Sequence, residues 1–484
     1  MKRLLLVDRS RLAAAFSAHQ VLAMEMAKLR RVRMRAIVIG RIARPYKVEF
    51  AAPRGSPMRS SLPLSLLLSA LALAGPARAE QLTLLDEAHL ATGESSGLSA
   101  PVIDDTTGTA YWKKYIDFEL GGSQLKSSSG GVIATDARTT SMVGDFPLNV
   151  FPTDAHAGSV LLLGHYLEPA NPGYYQTNAI YAYPGLARLA YFGSSFPGFT
   201  SDAVGLQVLA WPLYDGTGGA VFPMRRATTF PNFRYAICRT TNGASIEILA
   251  STDTTVVPGG DGGLFTLMDR PIPSGGRILF YGEGGGRRGV YQLEGGTVTT
   301  IVDNQTVLPP NVGPVPIFNG QGVVYAIDGN DVAIVLTDFG GGVWKRVGGV
   351  WSRLIARNDP IPGGTGLLFD LGRVAIRDGI VAFQGGRNNQ FAPPLQSGLY
   401  TDKFGAVTPI VNLETSYGAD VPTTYEVREG GRWFDGSDVV FAVDGQQWRA
   451  LYRATLVPEP THALASAAAI ATLAAIRRRR GHVS

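Results

Sequence analysis

Few residues in this sequence have types and spacings that could support catalysis or metal binding. His89, His156 and His165 are the histidines between residues 80 and 456, and no two have the i, i+4 spacing of a zinc hydrolase motif. His156 and His165 flank an apolar stretch and could share a metal, but we favour ordinary surface or turn positions for both. Cys238 lies in a strand-like segment without an identified His or Asn partner, so we expect a buried small side chain rather than a nucleophile.

Two polar segments resemble ligand-binding loops only in part. Asp328-Gly329-Asn330-Asp331 offers oxygen ligands for calcium, but it lacks the EF-hand length and bidentate Glu, so we interpret it as a hairpin turn. Residues 282–289, GEGGGRRG, have the glycines of a phosphate cradle without a strand–loop–helix context. We therefore expect Arg287 and Arg288 at a solvated hairpin tip. The sequence predicts no catalytic, cofactor-binding or metal-binding residue, and no cofactor.

Composition and charge placement narrow the class of protein. Gly 59 and Pro 30 in 484 residues argue against long helices, and 45% hydrophobic residues with 17% charged residues exclude wholesale disorder. One cysteine excludes an intramolecular disulfide. Of the formal net charge of +5, residues 1–57 contribute +10, and Arg59, Arg78 and residues 477–480 contribute +6, so the remainder carries −11. An acidic body disfavours nucleic-acid binding, because phosphates would repel it.

The segment 58–79 has the three parts of a secretory signal peptide. Arg59 is the positive start, Leu62 to Ala74 the short apolar stretch, and Ala77-Arg78-Ala79 the small-x-small site, which predicts cleavage before Glu80. Residues 1–57 are then either a basic leader or the result of a start codon assigned too far upstream. We favour the second, because export expects these features near the N-terminus.

The segment 457–484 combines three features in a fixed order. Val457-Pro458-Glu459-Pro460 precedes an Ala-rich apolar run, which ends at four arginines, Arg477, Arg478, Arg479 and Arg480. An apolar helix stopped by cytoplasmic arginines fits the positive-inside rule. The segment resembles the PEP-CTERM sorting signal of Gram-negative bacteria. That resemblance implies transient retention in the inner membrane by a transmembrane helix from Thr461 to Ile476, and then cleavage by an exosortase near Pro458 to Pro460. An uncleaved tail anchor is the alternative.

Residues 80–456 repeat with a period of about 55 residues. A turn with Asp or Asn and Gly, followed by a short apolar strand, recurs seven times, and a second β-rich element recurs seven times in step with it. The first marker ends at Tyr111, Leu161, Phe222, Phe280, Tyr325, Phe383 and Phe441. The second falls near Ile133, Tyr181, Ile237, Tyr291, Trp344, Tyr400 and Tyr452. A third, strand-to-Pro/Gly marker follows at Leu249, Ile301, Leu354 and Ile410 but is missing from the seventh unit.

These markers predict an all-β fold, a β-propeller of about seven blades in which Val381 and Phe383 are core residues. Leu84 to Gly93 matches Leu354 to Gly363 in length and apolar positions, so we expect the N-terminal segment to supply the strand that the last unit lacks and close the ring. Six or eight blades and an open β-solenoid are the alternatives. The mature body would be joined to the transmembrane sorting helix at its C-terminus.

The repeat pattern, seen in NGQGVVY ending at Tyr325 and DTTGTAY ending at Tyr111, resembles the tandem repeats of choice-of-anchor bacterial surface proteins. That resemblance implies export and surface sorting but no settled activity. The expected function is therefore a non-enzymatic binding or structural module of the cell surface or extracellular matrix. The expected partners are signal peptidase, exosortase, transiently the inner membrane, and exopolysaccharide or another surface macromolecule. A propeller hydrolase or lyase acting on extracellular polysaccharide is the alternative, and a calcium-dependent glycan-binding module is a third hypothesis. An enzyme would need acidic or His residues from several blades at one channel mouth.

Overall fold

A computed structural model describes the chain between residues 80 and 457, with gaps. The described residues are 80–89, 97–117, 122–135, 148–167, 176–185, 187–191, 206–208, 212–229, 232–241, 246–310, 323–337, 341–364, 366–387, 396–412, 422, 424–445 and 448–457. No helix within these ranges is long and apolar enough to cross a membrane. The predicted leader, signal peptide and sorting helix lie outside the described residues, as do Ala77, Ala79, residues 458–460 and residues 477–480.

The described strands form seven antiparallel sheets arranged as a seven-bladed β-propeller. The first blade begins with the second strand of the chain, and the later blades follow in sequence order. The first three blades contain β2 (Val102–Ile103), β3 (Ala110–Asp117), β4 (Gly122–Ser127) and β5 (Gly131–Thr135); β6 (Leu148–His156), β7 (Ser159–Leu167), β8 (Gln176–Tyr183) and β9 (Ala187–Tyr191); and β10 (Leu206–Val208), β11 (Leu213–Tyr214), β12 (Ala220–Thr229), β13 (Asn232–Thr240) and β14 (Ile246–Ser251).

The remaining four blades follow the same order, and the last one also uses the first strand of the chain. They contain β15 (Phe265–Ser274), β16 (Arg277–Gly284), β17 (Arg287–Glu294) and β18 (Thr297–Asp303); β19 (Val323–Asp328), β20 (Asp331–Leu336), β21 (Gly342–Val347) and β22 (Val350–Ala356); β23 (Asp370–Arg377), β24 (Ile380–Arg387), β25 (Gln396–Thr401) and β26 (Thr408–Val411); and β27 (Thr424–Glu426), β28 (Asp438–Asp444), β29 (Trp448–Leu456) and β1 (Glu80–His89).

The predicted closure of the ring is confirmed. β1 pairs antiparallel with β29 from Glu80 opposite Leu456 to His89 opposite Trp448, and so supplies the outer strand of blade 7. Asp86 of this strand then bonds to blade 1: its carboxylate accepts from Lys126 Nζ at 2.6 Å and Trp112 Nε1 at 2.9 Å. The N-terminal strand therefore closes blade 7 and also joins it to blade 1.

The seven-unit count is confirmed, but two of the sequence markers were assigned to the wrong strand. Tyr325 lies on β19, the first strand of blade 5, whereas the other first markers lie on second strands; Ile334 on β20 is the equivalent residue. Ile133 lies on β5, the fourth strand of blade 1, and Lys126 on β4, which faces Trp112, is the residue equivalent to Tyr291 and Tyr400. The equivalent position holds an isoleucine in blade 5 and a lysine in blade 1, so an aromatic or β-branched residue on a neighbouring strand imitated the pattern.

The strand cores are buried on both faces, because each blade packs between two others. Val381 and Phe383 are fully buried, as predicted, and pack toward blade 5. Ala382 between them is also fully buried and packs toward blade 7. The period-two alternation of a half-exposed sheet is therefore absent from this strand, and its residues form a continuous apolar run instead.

A recurring hydrogen bond joins neighbouring blades at the turns between their first and second strands. A side chain at the end of one first strand accepts from the backbone N–H of the same turn in the next blade. The four pairs are Asp104 with Gly158 at 2.7 Å, Asp154 with Tyr214 at 2.7 Å, Ser274 with Gly329 at 2.9 Å, and Asp328 with Asp378 at 2.7 Å. These turns bend tightly, with Gly329 at φ 57° and Gly379 at φ 72°, a conformation that glycine adopts without steric cost.

Candidate axial site

One segment of blade 7 crosses the centre of the propeller. Between β27 and β28 the chain makes a short 3-10 turn, Glu429–Gly431, and then contacts the inner strands of other blades. An added Cβ on Gly430 would lie 3.0 Å from Leu213 of blade 3, and one on Gly431 would lie 3.4 Å from Ala326 of blade 5. The absence of side chains here lets the backbone lie against these strands. We refer to residues 428–434 as the axial segment.

Arg432 of the axial segment contacts several blades. Its backbone oxygen accepts from Ile103 N of blade 1 at 2.9 Å. Its guanidinium donates to the carbonyl oxygens of Tyr214 of blade 3 and Pro273 of blade 4, at 3.4 and 3.3 Å. The same guanidinium lies 3.3 Å from Asp154 and 3.6 Å from Asp105. Arg432 thus ties blades 1 to 4 to the axial segment of blade 7.

Charged residues from several blades meet around Arg432 in a group that we term the axial cluster. It consists of Asp105, Asp154, His156, Asp328, Arg377 and Arg432. All six lie at the end of the channel that carries the turns between first and second strands. Asp105 accepts from His156 Nδ1 at 2.7 Å and from Arg377, and the other side of the Arg377 guanidinium lies 3.3 Å from Asp328.

The two carboxyl groups nearest Arg432 have opposite pKa shifts. Burial would raise the pKa of Asp105, but the hydrogen bond from His156 and the charges of Arg377 and Arg432 outweigh it and hold that pKa below its usual value. For Asp154 burial dominates: it raises the pKa to about 6, although Arg432 and the N–H groups of Tyr214 and Ala155 oppose it. Carboxyl groups whose environments separate their pKa values are typical of acid–base pairs.

The geometry restricts what these groups could do chemically. Asp154 is 0% exposed, so a solute could reach it only after Arg432 had moved. The cavity beside Asp105, Arg377 and Arg432 measures about 20 Å³, which is room for about one water molecule. His156 is the most exposed member of the axial cluster, with 30% of its side chain accessible. His156, Asp328 and the outer edges of the two arginines are therefore the parts of the axial cluster that are open to a ligand.

The residues singled out in the sequence are separated in the structure. His156 belongs to the axial cluster, and its register partner on β7 is Ser159. His165 lies six residues further along β7, so the two histidines do not share a site. Among the described side chains, no group of three or more His, Cys, Asp or Glu is placed to hold a metal ion. Asp328 to Asp331 form a hairpin turn, as expected, and Asp328 also pairs with Arg377. Val457 follows β29 and is exposed.

Two other expectations concern Cys238 and the glycine-rich hairpin. Cys238 is fully buried, and burial raises the pKa of its thiol, as expected of a small core side chain. Arg287 was expected at a solvated tip, and this was wrong: the tip is Gly285–Gly286, and Arg287 Nη1 lies 3.0 Å from the buried carboxylate of Asp303. The arginine follows the tip and therefore points back along the blade to an acidic partner.

Sequence reasoning missed the axial cluster as a group. Asp105 and Arg377 are 272 residues apart in the chain, and Arg432 stands in a Gly-Gly-Arg-Trp-Phe segment without any known motif. The one local sign was Asp154, the single charged residue in Phe151 to Ala155 at the end of a strand, where an unpaired charge would be costly. Its partner could not be named without the order of blades around the axis.

No family model matches the chain, and no curated protein matches it. The β-propeller domain of the Trilobed protease from Pyrococcus furiosus is similar over 74% of this chain and 93% of that domain, with 11% identity and a TM-score of 0.43. Pyrococcus horikoshii acylaminoacyl peptidase matches 76% of this chain and 52% of its own, with 10% identity and a TM-score of 0.44. A xyloglucanase from Xanthomonas campestris matches 77% of this chain and 53% of its own, with 15% identity and a TM-score of 0.40.

The chain thus spans about half the length of the peptidase and of the xyloglucanase. At these identities and TM-scores the likenesses carry no information about activity. The propeller architecture rests on the seven sheets themselves and on the pairing of β1 with β29.

Proposed function

We propose that this chain is an exported, exosortase-sorted protein of the cell surface or extracellular matrix of a Gram-negative bacterium, and that its propeller is a non-enzymatic binding or structural module. The targeting part rests on sequence: the signal peptide at 58–79 and the sorting signal at 457–484, with Val457, Pro458, Glu459 and Pro460 before the apolar run. Signal peptidase and exosortase are the processing partners, and the inner membrane holds the chain between the two cleavages.

The non-enzymatic part rests on one observation, which is that the axial segment occupies the channel where a propeller active site would lie. Asp105 is held by His156 and Arg377, and Asp154 is buried against Arg432. These contacts commit the carboxylates to holding the ring together. A binding surface for exopolysaccharide or another surface macromolecule would then lie on the outside of the blades rather than in the channel.

The alternative is a hydrolase or lyase that acts on extracellular polysaccharide, and one observation favours it. Carboxylates and a histidine from blades 1, 2 and 5 do converge at one end of the channel: Asp105, Asp154, His156 and Asp328. Movement of Arg432 would expose two carboxyl groups with separated pKa values, as acid–base catalysis requires. The two functions make different predictions for the same purified protein.

The trafficking proposal is tested by the intact mass and both terminal sequences of the protein from the outer envelope or medium of its native cells. The expected N-terminus is Glu80 and the expected C-terminus lies near Pro458 to Pro460. Glu459→Gln, or deletion of residues 477–480, should leave the unprocessed form in the inner membrane. Glu247→Gln, at an exposed position of the propeller, is the matched control and should be processed normally. A full-length chain ending at Ser484 in the membrane would refute sorting.

The two functions are separated by incubating the purified mature protein with exopolysaccharide from the same cells. A binding module should co-sediment with the polymer and release no new reducing ends or unsaturated sugar products. An enzyme should release one or the other, and Asp105→Asn should abolish that release while leaving co-sedimentation. Release by the unchanged protein that is lost in this variant would replace the non-enzymatic proposal by the alternative.

A further inference from the structure

Both predicted membrane-associated segments join the propeller at one corner. Glu80, which follows the predicted signal peptide, starts β1 and is the register partner of Leu456, the last residue of β29. The predicted sorting helix starts only five residues further on, at Thr461. Before either cleavage, the chain would therefore enter and leave the membrane beside the same edge of blade 7.

This corner lies on the face of the propeller that carries the first-to-second-strand turns and the third-to-fourth-strand turns, which we call the exit face. Leu456 N donates to Ser437 O at 2.8 Å, and Ser437 belongs to the turn before β28. Lys403 Nζ of the β25–β26 turn donates to Leu456 O at 3.1 Å. Lys345 Nζ near the end of β21 donates to Gly379 O at 2.9 Å. These contacts connect blades 5, 6 and 7 across the exit face.

Apolar side chains protrude from the exit face on these same three blades. Val350, next to the two-glycine turn of blade 5, is 71% exposed, and Val347 on the other side of that turn is 38% exposed. Phe404 in the β25–β26 turn of blade 6 is 39% exposed, and Val457 after β29 of blade 7 is 40% exposed. Scattered exposed apolar residues are ordinary, but these four follow one another toward the point where the chain leaves the propeller.

The tether to the predicted membrane helix is too short to hold this face away from the bilayer. Val457 to Pro460 are four residues, and at about 3.3–3.6 Å per residue they span at most about 14 Å. Blade 7 must then stay near the headgroups on its exit face, and the neighbouring turns of blades 5 and 6 come within reach of them.

We infer that the exit face docks on the lipid surface of the membrane that holds the sorting helix, with Val350 and Phe404 inserted among the headgroups; this inference rests on the proposed function. The occupant is the bilayer, because the chain itself brings the bilayer to this face.

Apolar contact rather than charge drives the docking. The acidic side chains beside these turns are already engaged: Asp402 pairs with Lys345 at 2.6 Å, and Asp435 accepts from the N–H groups of Ser437 and Asp438. Insertion should therefore depend little on salt or on the fraction of anionic lipid. Removal of the sorting helix by cleavage would leave only these few side chains on the membrane and would release the propeller.

The test uses the full chain reconstituted in phosphatidylethanolamine–phosphatidylglycerol vesicles, with an environment-sensitive fluorophore on Val350→Cys or Phe404→Cys. The natural Cys238 is the one cysteine of the chain, and because it is fully buried it should not react. Leu367→Cys is the matched control: it is 51% exposed but precedes β23 on the opposite face. A six-residue strand such as β25 spans about 20 Å, so the control label lies that much further from the bilayer.

The expected result is a blue shift and quenching by nitroxide lipids for the labels at 350 and 404, but not for the label at 367. Quenching should persist at high salt and on vesicles without phosphatidylglycerol. If the chain floats with the vesicles and the three labels are quenched equally or not at all, the docking face is wrong while membrane retention stands. If the chain does not float with the vesicles, retention by the sorting helix fails, and the docking inference fails with it.

Discussion

Replacing Arg432 by Met tests whether the axial cluster stabilises the propeller through charge pairing. The guanidinium lies 3.3 Å from the fully buried Asp154 carboxylate. Removing one partner of a buried ion pair leaves an uncompensated charge and costs about 3–5 kcal/mol. The carbonyl oxygens of Tyr214 and Pro273 also lose a donor, at about 1 kcal/mol each. We expect Arg432→Met to lower the free energy of unfolding near neutral pH by at least about 3 kcal/mol.

The double variant separates the charge from the packing. In Arg432→Met Asp154→Asn no charge is left buried, so the loss should shrink to the cost of the unpaired carbonyls, about 2 kcal/mol. Asp154→Asn alone should also be mild, because it removes a carboxylate whose ionisation the fold disfavours. The coupling between the two substitutions should therefore be favourable by at least about 1 kcal/mol.

The pH dependence identifies the group responsible. Burial raises the pKa of Asp154 to about 6, above its ordinary value of 3.8, so the folded state binds more protons than the unfolded state. Stability from this group is present at low pH and is lost as pH rises through that interval. Without Arg432, which lowers this pKa, the loss should extend to higher pH. Arg432→Met should therefore recover stability as pH falls, by about 1.4 kcal/mol per pH unit.

The assay is equilibrium urea unfolding of the purified mature protein followed by tryptophan fluorescence, since the fully buried Trp433 adjoins Arg432. Arg234→Met is the control: its partner Asp253 is exposed, and such surface pairs contribute about 0–1 kcal/mol. Equal midpoints for Arg432→Met and the control, or a defect in Arg432→Met that does not diminish between about pH 8 and pH 5, would refute charge pairing as the source of stability.

Three further predictions concern the ring and its blades. Asp86→Asn should lower the urea midpoint and increase proteolysis of the N-terminal strand, because Lys126 and the other donors of blade 1 lose their anionic acceptor. An unchanged midpoint would mean that this contact does not stabilise the closed ring. Gly289→Ala should destabilise the folded protein by about 1–3 kcal/mol, because the added methyl group would lie 2.2 Å from Val302 O. Differential scanning calorimetry should show a lower melting temperature. A melting temperature equal to that of the wild type would contradict the close approach. In the unmodified chain, hydrogen bonds and cationic partners outweigh burial and hold the pKa values of Asp86 and Asp105 below 3.8. The stabilisation from these two carboxylates is therefore present above that pH and is lost as pH falls through their folded-state pKa values. Urea midpoints that do not fall in acid would contradict this prediction.

The repeat predicted the architecture because it reflects cross-strand pairing. Phe280 faces Tyr291, Phe383 faces Tyr400 and Phe441 faces Tyr452 across the second and third strands of their blades. The paired positions recur once per blade, so they count the blades even where one member is not aromatic, as in Leu162 opposite Tyr181. The marker residues were misassigned in blades 1 and 5, because Lys126 takes the third-strand position in blade 1 and Ile334 the second-strand position in blade 5. The missing strand of the seventh unit was the other informative feature, since only a closed ring explains where it went.

The repeat could not predict the axial cluster, because the residues of that cluster do not recur from blade to blade. Asp104 and Asp105 are adjacent, yet they differ in role: Asp104 makes the blade-to-blade hydrogen bond that recurs at Asp154, Ser274 and Asp328, whereas Asp105 turns to the axis. A position that follows the repeat needs no explanation beyond the fold. The residues that follow Asp154, Ser274 and Asp328 are Ala155, Gly275 and Gly329, so these three blades have no counterpart of Asp105. The partners of Asp105 come from blade 2, blade 6 and the axial segment.

This distinction bears directly on the choice between the two functions. Asp154 and Asp328 each make the recurring hydrogen bond as well as an axial ion pair, so their presence in the cluster is partly explained by the ring itself. His156 and Arg377 serve no recurring contact, and both remain accessible in part. If the channel has a chemical role, these two side chains and Asp105 are the members of the cluster whose presence the ring does not explain. His156→Gln should then abolish any release of sugar products with little change in the urea midpoint, whereas in a purely structural cluster it would alter neither binding nor product release.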